Sequence, residues 1–169
     1  MKTIITALLI STIFVGCAAI TGGGGGGGGG GTSGCTEPSK TYGNADVDNF
    51  LQTSFDICEK LQKTNELLSD ANEFVADPSA YIAKRGLQAK AQLIRKVTNM
   101  IPDLAKIAME ALQTVKVSVN ATSATSNLPG MDKLRAVKDV SNAVKNLKNI
   151  GETAPKVAAE FQSLLAKLK

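Results

Sequence analysis

Residues 47–76 read V-D-N-F-L-Q-T-S-F-D-I-C-E-K-L-Q-K-T-N-E-L-L-S-D-A-N-E-F-V-A, and their spacing decides the fold. Val47, Phe50, Leu51, Ile57, Cys58, Leu61, Leu68 and Val75 recur three and four residues apart, the spacing that places side chains on one face of an α-helix. Asp48, Asp56, Glu59, Glu66, Asp70 and Glu73 fall on the opposite side. The pattern predicts a long helix with one apolar stripe, and such a stripe belongs to a core rather than a ligand groove. Leu67 and Phe74 lie off it, which predicts a second neighbour for the end of this helix.

The helical period continues downstream. Asp77-Pro78 reads as a stop and a new start, with Asp77 as N-cap and Pro78 in the first turn. Leu87, Ala91, Ile94, Val97 and Ile101 form the next stripe. Pro102 removes a backbone hydrogen bond and crowds the preceding turn, so a kink or break is expected there. Leu104, Ala108, Leu112, Val115 and Val119 resume nearly the same phase, which favours one long helix over two. Residues 120–130, N-A-T-S-A-T-S-N-L-P-G, read as a polar loop. Leu134, Val137, Val140, Val144 and Leu147 make a further stripe, ended by Gly151 as C-cap. Thr153 then caps a last helix carrying Val157, Phe161, Leu164, Leu165 and Leu168. No stretch alternates apolar and polar with period two. The expected fold is all-α, an antiparallel four- to five-helix bundle over residues 46–169. An elongated helical hairpin that buries its stripes on oligomerisation is the alternative.

The N-terminus has a different character. M-K-T-I-I-T-A-L-L-I-S-T-I-F-V-G-C-A-A places one lysine before a mostly apolar run of 12 residues, Ile4 to Val15. That length suits a signal-peptide core and falls short of the roughly 20 residues that span a bilayer as a helix. The run ends F-V-G-C, and here the sequence resembles a bacterial lipoprotein signal, with Phe14 standing where Leu is usual. The resemblance implies cleavage after Gly16, and a lipid joined to the thiol and new amine of Cys17. Ordinary secretion, with cleavage after Ala18 or Ala19, is the competing reading.

Ten consecutive glycines, Gly22 to Gly31, follow. No Lys-Ser or Lys-Thr pair closes the run, so a phosphate-binding loop is disfavoured. A Gly-rich tether between Cys17 and the first helix has a typical reach of roughly 30 Å. The expected organisation is a signal peptide over residues 1–16, a lipid-anchored tether over 17–45, and a helical domain over 46–169. Cys35 in the tether and Cys58 on the first helix would both meet an oxidising compartment after export. A disulfide between them is expected, with two free thiols as the alternative.

Charge is divided along the chain. Residues 37–78 hold nine acids and three lysines, and residues 79–169 hold fifteen Lys or Arg and six acids. The simple account sets an acidic first helix against basic helices in one bundle; the other is a basic face for anionic headgroups or an acidic partner. There is no histidine, so the chain lacks the usual general base near neutral pH and the commonest metal ligand. No serine or cysteine lies in a recognised nucleophile motif. No catalytic, metal or cofactor residue is assigned, and nucleic acid is not expected as a partner. The expected function is that of a non-catalytic, membrane-anchored binding or structural module of the cell envelope, held at the outer membrane for preference, with a protein or envelope partner. The alternative is a carrier or sensor of an apolar ligand, with Met100 and Met109 beside Pro102 as pocket walls.

Overall fold

A computed structural model describes residues 37–38 and 40–168, and within them the chain is all-α. Its elements are α1 (Ala45–Ala76), α2 (Pro78–Arg85), α3 (Ala89–Ala124), a 3₁₀ turn (Thr125–Asn127) and α4 (Gly130–Leu168). The signal segment, Cys17, the glycine run and Cys35 lie outside the described residues.

Three long helices make the body. At about 1.5 Å per residue they run some 50–60 Å, with α3 antiparallel to both α1 and α4. The pairing of Lys60 with Glu110 and of Thr64 with Met100 fixes the α1–α3 direction. α2 is a short brace across one end. Asp77 caps it, its side chain accepting from the Ala80 amide at 2.9 Å, with Pro78 at the helix start. Phe74, off the main stripe of α1, meets Tyr81 of α2 edge-on, with ring centroids 5.4 Å apart. Both it and Leu67 are buried, as the position of these residues off the stripe predicts.

The break between α2 and α3 falls at Gly86, whose φ of 92° is open to glycine and strained for other residues. The chain turn leaves Leu87 91% exposed, so Leu87 does not begin the α3 stripe. The helix then passes through Pro102 without interruption. Pro102 is exposed, and one face of a long packed helix survives the loss of a single backbone bond.

Two expected breaks are absent. Residues 120–124 are helical rather than loop. The Ser and Thr hydroxyls there donate back to carbonyls three or four residues earlier, as from Thr122 to Ser118 at 2.8 Å and from Thr125 to Thr122 at 2.7 Å, so these polar side chains sit in helix without competing for its amides. Nor does Gly151 end a helix: α4 runs on through Gly151, Thr153 and Pro155 to Leu168. Gly151 is buried against α3, and a Cβ added to it would stand 2.8 Å from Leu112 Cδ2. It is a close-approach residue. The carbonyl that Pro155 crowds is that of Gly151, four residues back, where the missing side chain gives the backbone room to adjust.

The core is built from Val47, Leu104, Leu147, Val157 and Phe161, all nearly inaccessible to solvent, interleaved with Ala71, Ala111, Ala121, Ala136 and Ala154. The alanines let the helices approach closely. All of it lies between Tyr42 and Leu168, so a chain beginning at residue 18 keeps the whole core together with Cys35 and Cys58.

The core stripe of α3 is rotated from the one its large apolar residues suggest. Leu93, Val97, Leu104, Ile107, Ala111 and Thr114 are buried, whereas Leu112 and Val119 are exposed. On α4, Ala136, Val140 and Leu147 are buried while Leu134 and Val137 are exposed. Small residues took the inner positions, and larger ones were left outside.

Candidate functional site

The two ends of the bundle dispose of their charges differently. At the α2 end, Arg85 grips Asp70 with two hydrogen bonds of 3.0 and 2.8 Å and reaches Glu73 at 3.3 Å. Lys84 meets the other Glu73 oxygen at 3.1 Å, and this hydrogen bond holds the Glu73 carboxyl below the usual carboxylate range. The Arg85 guanidinium also lies 4.8 Å from the Tyr81 ring centroid. Burial, then the Asp70 charge, raises the Tyr81 phenol. Of the basic cluster Lys84, Arg85, Lys90, Arg95 and Lys96, the first two are thus tied to acids of α1 and Lys90 lies 6.0 Å from the Phe74 ring centroid.

At the opposite end the chain enters the body through residues 40–44. Asn44 caps α1, accepting from the amides of Asp46 and Val47 at 3.1 and 3.3 Å. Asp48 turns back to accept from the amides of Tyr42 and Gly43 at 2.6 and 2.9 Å. The Tyr42 hydroxyl donates to Asp139 of α4, and Lys40 pairs with Asp132 at 2.6 Å. Burial and the Asp139 hydrogen bond push the Tyr42 phenol well above its ordinary value. This strap occupies both acids of the first half of α4. Sequence reading missed it, and the signal within it was slight: a tyrosine in an aromatic-poor chain, two residues after Lys40 and two before Asn44.

Of the cysteines, Cys58 is buried in α1 and disulfide-bonded. Its partner sulfur, like Cys17 and Cys35, lies outside the described residues. A recess of about 220 Å³ opens between α1 and α3, lined by Asp46, Asn49, Phe50, Thr53, Thr114, Val117 and Asn120. Met100 packs against the core and accepts from the Thr64 hydroxyl at 3.4 Å. Met109 is 57% exposed and lines no interior wall. Among the described residues no three Cys, Asp or Glu side chains converge to hold a metal ion. No described helix is long and apolar enough to cross a membrane.

Compared with known protein families, curated proteins and solved structures, the chain matches none significantly. Its function is therefore read from its own residues. What they bring together is a polar strap at the point of chain entry, next to the outward apolar residues of α3 and α4.

Proposed function

We propose that the chain is a non-catalytic bacterial lipoprotein, tethered by a lipid on Cys17, whose helical bundle is a binding or structural module of the cell envelope. The observation that carries this reading is the 12-residue apolar run ending in F-V-G-C, which provides a signal-peptide core, a small residue for the peptidase and a thiol for the thioether. The disulfide at Cys58 supports export, because thiols of cytosolic proteins are kept reduced. With Cys17 carrying lipid, Cys35 is the sulfur left to pair with Cys58. The outer membrane is the favoured location.

Intact mass spectrometry of the membrane fraction tests the reading, comparing wild type with Cys17→Ala. The lipoprotein gives a chain starting at Cys17 with added acyl mass, and Cys17→Ala loses both the acyl mass and the membrane association. An unmodified mature chain starting after Ala18 or Ala19 overturns it.

A further inference from the structure

Apolar side chains that the core leaves unused gather on one face of the α3–α4 hairpin. Leu112 and Val119 are two turns apart on α3, and Val137, Val144 and Gly151 are spaced by two turns on α4. The packing of Leu112 on Gly151, with the helices antiparallel, sets these two rows side by side, away from α1. Val144 is half-buried in the seam, but Val119 is 67% and Leu134 65% exposed. Isolated exposed apolar residues are ordinary; a row shared by two helices marks a contact surface.

Charge narrows what the surface contacts. Between residues 111 and 151 the chain has six Lys or Arg and two acids, Asp132 and Asp139. Both acids face the strap, where Lys40 and Tyr42 hold them. Lys116, Lys133 and Lys148 are exposed, lie one to three turns from the apolar residues, and have no ion-pair partner among the described residues. A second copy would bring the same unpaired lysines to the interface and no free acid of this face to meet them, which disfavours self-association. The partner is anionic and admits short apolar side chains, the combination found at a phospholipid headgroup layer.

We infer that the outer face of the α3–α4 hairpin docks on an anionic phospholipid surface, with Leu134, Val137 and Val119 entering the interface and the lysines meeting phosphates. The inference rests on the lipid-anchored reading for its geometry. The chain enters the body at the same end as this face, and with Cys35 tied to Cys58 the free tether from Cys17 to Cys35 has an expected reach of roughly 20–25 Å, which keeps the headgroups within range. The tether permits contact, and the face determines which side of the bundle makes it. The acids Asp46 and Asp48 belong to α1 and not to this hairpin.

The test uses the chain from residue 18 onward, which has no Cys17 to carry lipid. It is sedimented with phosphatidylcholine vesicles with and without phosphatidylglycerol. Binding is expected to the phosphatidylglycerol vesicles alone and to weaken as salt is raised. Leu134→Asp combined with Val137→Asp lowers it at least about tenfold. Leu87→Asp, at the other end, leaves it unchanged, and thermal melts verify that both variants fold. Absence of binding, equal loss with Leu87→Asp, or a dimer in solution that Leu134→Asp dissociates overturns the inference. Failure here leaves the anchor at Cys17 standing, and failure of the mass measurement removes the tether geometry while vesicle binding by the chain from residue 18 onward is still read separately.

Discussion

The α2 end and the chain-entry end of this bundle solve the same problem in opposite ways. At the α2 end, Phe74 and Tyr81 are inside, and Arg85 and Lys84 cover them while neutralising Asp70 and Glu73. Leu87 is the one large apolar side chain there that is left strongly exposed. At the chain-entry end the fastening is polar, through Tyr42, Asp139, Lys40 and Asp132. Apolar side chains are left outside, and the lysines near them keep their charge unmatched. The first end closes the fold. The second is stable without using its outward residues, so those residues are available for something else.

The contrast can be broken first at the closed end. Phe74→Ala removes a buried ring and its edge-on partner contact, and should cost about 3–5 kcal/mol in chemical unfolding. Leu134→Ala, at the chain-entry end, should stay within about 0.5 kcal/mol of wild type. If the two variants lose similar stability, the outward residues are part of the core after all. The second test is reduction: if the Cys58 disulfide ties the entering segment to α1, dithiothreitol lowers stability by about 2–4 kcal/mol with the helical signal retained. Non-reducing peptide mapping then recovers Cys35 linked to Cys58.

The third effect is smaller and concerns the strap. Tyr42→Phe deletes the hydrogen bond to Asp139 and should cost about 1–2 kcal/mol. It also changes the alkaline edge. The Tyr42 phenol lies above its unfolded value of 10.0 in the folded protein, so the folded state holds its proton more tightly. That contribution is complete below pH 10 and is lost as pH rises beyond it. Stability curves of wild type and Tyr42→Phe therefore converge as pH is raised above 10. Parallel curves would mean that the hydroxyl is not held by Asp139.

Much of the fold was legible because helical spacing and punctuation carry direct physical meaning. The stripe from Val47 to Leu68, the Asp77-Pro78 restart and the continuity through Pro102 all follow from it. Helix ends were less legible. Gly151 and Pro155 look like a break, yet a glycine that admits Leu112 is as useful inside a helix as at its end. The Ser- and Thr-rich residues 120–124 look like a loop, yet their hydroxyls bond to the helix's own carbonyls. The largest gap concerns which apolar stripe faces inward. Leu112, Val119, Leu134 and Val137 outweigh Ala111, Ala121 and Ala136 in any hydrophobic pattern, but close packing of three helices selects the small residues. The difference is informative, since the residues that packing leaves outside are the ones that form the proposed membrane face. Cys17 is legible as a signal feature alone, and it lies outside the described residues.

The chain has no tryptophan, so one introduced at either end of the bundle reports on that end alone. Leu134→Trp and Leu87→Trp, each in the chain from residue 18 onward, are titrated with phosphatidylglycerol vesicles while emission is recorded. The account predicts a blue shift for Leu134→Trp and none for Leu87→Trp. A shift at Leu87→Trp, or none at either position, would contradict it.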